Sequence, residues 1–159
     1  MKMDEDRRNH LVKESSHNYP GLQAITSPHH VVSIMRDAFD IGNLSEEYVH
    51  MIALSTANTV KGIFEISHGK LESAPIHPRE VFSRALLAGA AGIILTHNHP
   101  SGEVKPSPHD IKETDRLYEA GLIMGITLYD HIIITDAKHY SMGEAGLMPW
   151  SKKEKEMIS

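Results

Sequence analysis

The sequence predicts one α/β (α+β) domain, with helices packed on a central, largely antiparallel or mixed β-sheet. Three observations point there. Apolar runs of strand length, such as EYVHMIAL over 47–54 and GIILT over 92–96, alternate with longer stretches of helical periodicity. Those stretches open on proline, at Pro28, Pro78 and Pro108, where a missing N–H costs a helix nothing. The chain has 159 residues and 40% hydrophobic content, the size and apolar share of a single core.

Taken in order, residues 1–25 are polar and charged, end at Tyr19-Pro20-Gly21, and read as a flexible N-terminal tail. Ser27-Pro28 caps a first helix whose apolar face is Val31, Val32, Ile34, Met35 and Phe39, with a break at Gly42. The 47–54 strand, the turn Ser55-Thr56-Ala57-Asn58 and the stretch 61–67 form a hairpin. Pro78 starts a second helix whose apolar positions Val81, Phe82, Ala85, Leu86 and Leu87 run to Gly89. A short buried strand from Gly92 to Thr96 then leads into THNHPSG. Ser107-Pro108 opens a third helix with Ile111, Leu117 and Tyr118 inward, Glu113 among the outward residues, and a stop near Gly121. Residues 126–135 and 139–142 complete the sheet, and 149–159 read as a charged, solvated C-terminal tail.

Composition narrows the chemistry. With 16 basic against 21 acidic residues, the net charge of −5 lacks the footprint of a nucleic-acid binder, so direct DNA contact is disfavoured. No cysteine is present, which excludes disulfides, thiolate zinc sites and cysteine nucleophiles; a metal must sit on imidazole and carboxylate. The N-terminus has no signal-peptide core, and no run of about 18 apolar residues exists to span a bilayer. The expected location is cytoplasmic.

The chemistry concentrates in HNHPSGEVKPSPHD, residues 97–110, which leave a buried strand, cross a Pro/Gly-rich loop and enter a helix. His97 and His99 are two apart, so in extended backbone their side chains share a face. Asp110 lies in the first turn of the helix and can aim back at the loop. Two imidazoles and a carboxylate are the ligand set of an open zinc site with a fourth position for water. Separately, His-x-His is common and Ser107-x-x-Asp110 is a capping signal. On one strand-loop-helix unit their coincidence favours Zn2+ on His97, His99 and Asp110.

The string His97-Asn98-His99-Pro100-Ser101-Gly102 followed by Ser107-Pro108-His109-Asp110 resembles the JAMM (MPN+) signature, and its RadC-like branch in particular. His77-Pro78-Arg79-Glu80, the run from Ala90 to Leu95, and Tyr129-Asp130-His131-Ile132-Ile133 extend the resemblance over residues 26–148. It implies a JAB/MPN domain of cytidine-deaminase-like, three-layer architecture, with zinc on the same three residues. It also implies an upstream glutamate as general acid/base, placed at Glu47 by matching the 47–54 strand, with Glu46 the nearest competitor and Glu80 a weaker one. Ser107 has two roles on offer: helix N-cap, and support for a tetrahedral intermediate. His131 and His77 are candidates for supporting positions, although a core or surface histidine is the plainer reading of each.

The leading expectation is a zinc metallopeptidase acting on a peptide or isopeptide substrate. The alternative is a zinc-binding RadC-like module, non-catalytic or associated with DNA repair, that acts through a protein or DNA partner. Larger RadC-like proteins carry a helical domain ahead of the matched region, and the roughly 25 residues here are too few for it. Zinc deamination is disfavoured because its ligand sets use cysteine.

Overall fold

The computed structural model describes residues 24–69 and 76–158. Among the described residues, four helices and five strands follow in the order α1 (Pro28–Phe39), β1 (Glu47–Leu54), β2 (Val60–Gly69), α2 (Pro78–Leu87), β3 (Gly92–Asn98), α3 (Pro108–Met124), β4 (Thr127–Ile134), β5 (His139–Ser141) and α4 (Pro149–Ile158), with a 3-10 turn at Ile41–Asn43. The sheet order is β2-β1-β3-β4-β5. Only β3 and β4 run parallel, joined by α3 as the crossover; the other pairs are antiparallel.

The alternation of β1 and β3 builds two cores. Val49, Met51, Ala53, Ile93 and Leu95 face α2 and α3. Ile52, Leu54 and Ile94 face α1, with Val31, Val32 and Met35 across from them. The sheet is thus the middle of three layers. The expected α+β architecture holds, and β1 has its expected bounds.

Several details differ from expectation. Helix α3 runs through Gly121 to Met124, and the residue that ends it is Gly125, in the left-handed region at φ +68. Gly121 serves a close approach instead: a Cβ there would meet the Ile126 carbonyl oxygen at 2.3 Å. Glu113, expected outward, is buried, because the buried stripe of α3 runs Asp110, Glu113, Thr114, Leu117, Gly121. Of the apolar positions of α2, Val81, Phe82 and Ala85 supply the buried face, and Leu86 and Leu87 are 53% and 64% exposed. The segment read as a C-terminal tail is helical from Pro149 to Ile158, buries Ser151, and ties Lys152 to Asp115 of α3 at 3.1 Å. Most of the expected N-terminal tail lies outside the described residues, but Ile25 is buried against the α1-side core and its N–H donates to the Asn58 carbonyl. No helix among the described residues is long and apolar enough to cross a membrane.

His50 sits inside the α1-side layer, its ring 4.7 Å from that of Phe39 and its Nδ1 without a hydrogen-bond partner among the described residues. Burial pushes its pKa down from 6.5 to about 4. The unfolded chain therefore takes up this proton at a higher pH than the folded one. The contribution of neutral His50 is complete above about pH 6.5 and is lost as the pH falls toward 4. The expected loss is on the order of 3 kcal/mol. Urea unfolding across this window checks it: His50→Phe is expected to flatten the slope, and an unchanged slope contradicts the assignment.

Candidate metal centre

Strand β3 carries the site. Ile93, Leu95 and His97 alternate onto the α2/α3 face, and the chain stays extended to Asn98, so His99 follows on the same side. Val49 pairs with His97 across the β1–β3 ladder. Glu47, two residues earlier and half-buried, shares the face of Val49 and so lies on the His97 and His99 side. Glu46 precedes the strand and is exposed.

Asn98, on the opposite face, ties these strand ends together. Its Oδ1 accepts from the Tyr48 N–H and its Nδ2 donates to the Glu46 carbonyl, both at 2.7 Å. The peptide groups on either side of Glu47 are thereby clamped, which fixes the Glu47 backbone beside the end of β3.

Asp110 reaches the same place from α3. Its Oδ2 accepts from the Ser107 N–H at 2.8 Å while its own N–H donates to Ser107 Oγ at 3.1 Å. This reciprocal capping box fixes the carboxylate's rotation. Capping and ligand geometry coexist in Asp110, since the carboxylate also lies 3.7 Å from His97 Nε2 through Oδ1 and 3.5 Å from His99 Nε2 through Oδ2. The two Nε2 atoms are 2.8 Å apart. One donor atom from each of His97, His99 and Asp110 lies within 4.8 Å of the others.

Other histidines and acids of the expected set stand apart from this group. Glu80 is exposed and pairs with Arg84 at 3.0 Å on α2. His77 is the exposed residue before α2, and its side chain makes no capping bond. His131, by contrast, is fully buried with Nε2 at 2.6 Å from His97 Nδ1. A one-residue bulge in β4 delivers it: Ile93 pairs with Leu128 but Ile94 pairs with Asp130, so alternation slips at Tyr129 and His131 turns toward the ligand face. The Asp130 carboxylate secures the bulge by accepting from the His131 and Gly143 N–H groups and from Ser141 Oγ.

The profile of the RadC-like JAB domain matches residues 25–147. The chain belongs to the RadC-like JAB domain family. A UPF0758 protein of Clostridium acetobutylicum is 44% identical over 124 residues, covering 78% of this chain and 53% of that protein. One from Rubrobacter xylanophilus is 43% identical over 129 residues, 81% of this chain and 56% of its own length. A third, from Desulforudis audaxviator, is 48% identical over 101 residues, 64% and 44% respectively. The chain spans about half the length of the curated relatives it matches.

Electrostatics in this RadC-like domain suit a cation. Burial works to raise the Asp110 pKa, but the imidazoles of His97 and His99 close beside the carboxylate and the Ser107 amide outweigh it and hold the carboxyl well below the usual carboxylate range. Burial works to lower the His99 pKa, and the Asp110 carboxylate, the Glu103 carbonyl and the charge of Glu47 more than offset it. His99 Nδ1 donates to the Glu103 carbonyl at 2.6 Å, since a carbonyl only accepts, and its Nε2 is left to face the group. A divalent cation displacing protons from such a set finds donors of the right kind already gathered. The triad can hold a metal ion.

Asn98 and Thr114 were not singled out from sequence as site residues. Asn98 lies inside the HNH string, which is the signal that could have found it. Thr114, one helical turn after Asp110 on the same buried stripe, carries only the i,i+4 spacing as a clue.

Proposed function

We propose that the chain is a zinc-dependent hydrolase of peptide or isopeptide bonds. The observation that carries this reading is the convergence of His97 Nε2, His99 Nε2 and the Asp110 carboxylate, all within 4.8 Å, from one strand-loop-helix unit. These three residues would hold the ion, in the ligand set of an open catalytic site. Zinc, when bound there, supplies Lewis acidity toward a carbonyl oxygen and a lowered pKa for water.

Glu47 acts as general base, taking a proton from the attacking water, and then as general acid toward the departing amine. Its support is the strand register that puts it on the histidine face, the Asn98 clamp on its two peptide groups, and a charge felt at His99. Ser107 Oγ accepts from the Asp110 N–H and keeps its own hydroxyl hydrogen to offer an oxyanion. The working compartment in this reading is the cytosol.

A cleavage screen with peptide and isopeptide-linked substrates tests it. Cleavage is expected to vanish when zinc is stripped by chelation and to return when zinc is restored. Cleavage that survives complete metal removal contradicts the proposal, and stoichiometric zinc without cleavage of either bond type favours the non-catalytic module.

A further inference from the structure

Building on the metal-site reading, we propose that His131 and Thr114 are positioning residues: they form a buried hydrogen-bond relay that keeps the proton of His97 on Nδ1 and leaves its Nε2 open to a divalent cation. The relay runs from His97 Nδ1 to His131 Nε2 at 2.6 Å, from His131 Nδ1 to Thr114 Oγ1 at 2.7 Å, and from Thr114 Oγ1 to the Asp110 carbonyl at 2.7 Å. It begins and ends on residues of the ligand triad.

Its direction is fixed at one end. Two groups that can only accept face the Thr114 hydroxyl, the Asp110 carbonyl at 2.7 Å and the Met142 sulfur at 3.6 Å, and the nearer, stronger acceptor takes its single hydrogen. The threonine oxygen must then accept from His131, which puts the His131 proton on Nδ1. Fully buried, with the Thr114 hydroxyl oxygen and the His97 ring as its hydrogen-bond partners, His131 carries its one ring proton on Nδ1; its Nε2 is then an acceptor, and His97 must donate from Nδ1. Reversing the relay would set the Thr114 and Asp110 oxygens lone pair against lone pair and place a proton on His97 Nε2, in the mouth of the site. The relay also ties the first turn of α3 to β4, so that the Asp110 carboxylate and the His97 ring are held in one register. The β4 bulge acquires a purpose here, since without that slip His131 would face the α1 layer.

The test uses the full chain with 15N-labelled histidine, metal-free at neutral pH, and reads the His97 tautomer by long-range 1H–15N correlation. Wild type is expected to show His97 protonated on Nδ1. Thr114→Val, which keeps the shape and removes the hydroxyl, is expected to shift the His97 proton toward Nε2 and to weaken zinc binding by about 10- to 100-fold. Thr114→Ser is expected to restore both. A His97 Nε2–H in wild type overturns the proposal, and so does a Thr114→Val protein with the wild-type tautomer and zinc affinity. If Thr114→Val fails to fold, the wild-type tautomer and Thr114→Ser decide the matter. Wild type with the expected tautomer but no zinc binding would sink the metal reading and leave the relay standing.

Discussion

Replacing His97 by alanine is expected to abolish zinc binding while leaving a folded domain. His97 is 1% exposed and is the hub of the group, 2.8 Å from His99 Nε2, 3.7 Å from Asp110 and 2.6 Å from His131. Its loss leaves two donors, too few for a site of this type. The fold bears a cost as well, since His131 Nε2 is left buried without its partner, typically about 1–3 kcal/mol. Metal analysis after dialysis, with circular dichroism to confirm folding, measures both. His109→Ala is the control: His109 lies beside Asp110 in sequence yet outside the donor group, and its variant should bind zinc as wild type does. Unchanged zinc stoichiometry in His97→Ala would remove the site assignment.

Glu47→Gln is expected to separate binding from chemistry. The amide keeps the shape of the side chain but cannot take a proton, so hydrolysis should fall by roughly 10²–10⁴-fold with zinc content unchanged. Glu46→Gln should leave activity near wild type, because Glu46 is exposed ahead of the strand and it is its backbone carbonyl, unchanged in the variant, that Asn98 holds. The pair of variants discriminates the two carboxylates directly. Equal losses in both, or a loss confined to Glu46→Gln, would count against Glu47 as the base.

Much of this was legible in the sequence, because the relevant physics was local. A proline after a capping residue marked the starts of α1 and α3, and His97, His99 and Asp110 fall on one strand-loop-helix unit whose geometry their spacing already implied. What escaped was nonlocal. The position of His131 depends on a bulge opposite Ile93 and Ile94, and a slip of one residue reverses every face downstream of it. Asn98 acts by bridging strand ends that are fifty residues apart in the chain. Helical character in 149–158 was hidden by its charges, since one buried serine and one lysine-aspartate pair to α3 leave little imprint on an amphipathic pattern. Glu113 broke the rule that charges face outward, and its Oε2 stays buried without a hydrogen-bond partner among the described residues.

The most direct measurement is a crystal structure of the zinc-loaded protein with anomalous data at the zinc edge. The account predicts one anomalous peak bonded to His97 Nε2, His99 Nε2 and an Asp110 carboxylate oxygen, with the Glu47 carboxylate facing the open side of the ion. A peak bound by other residues, or zinc ligated through His97 Nδ1, would contradict it.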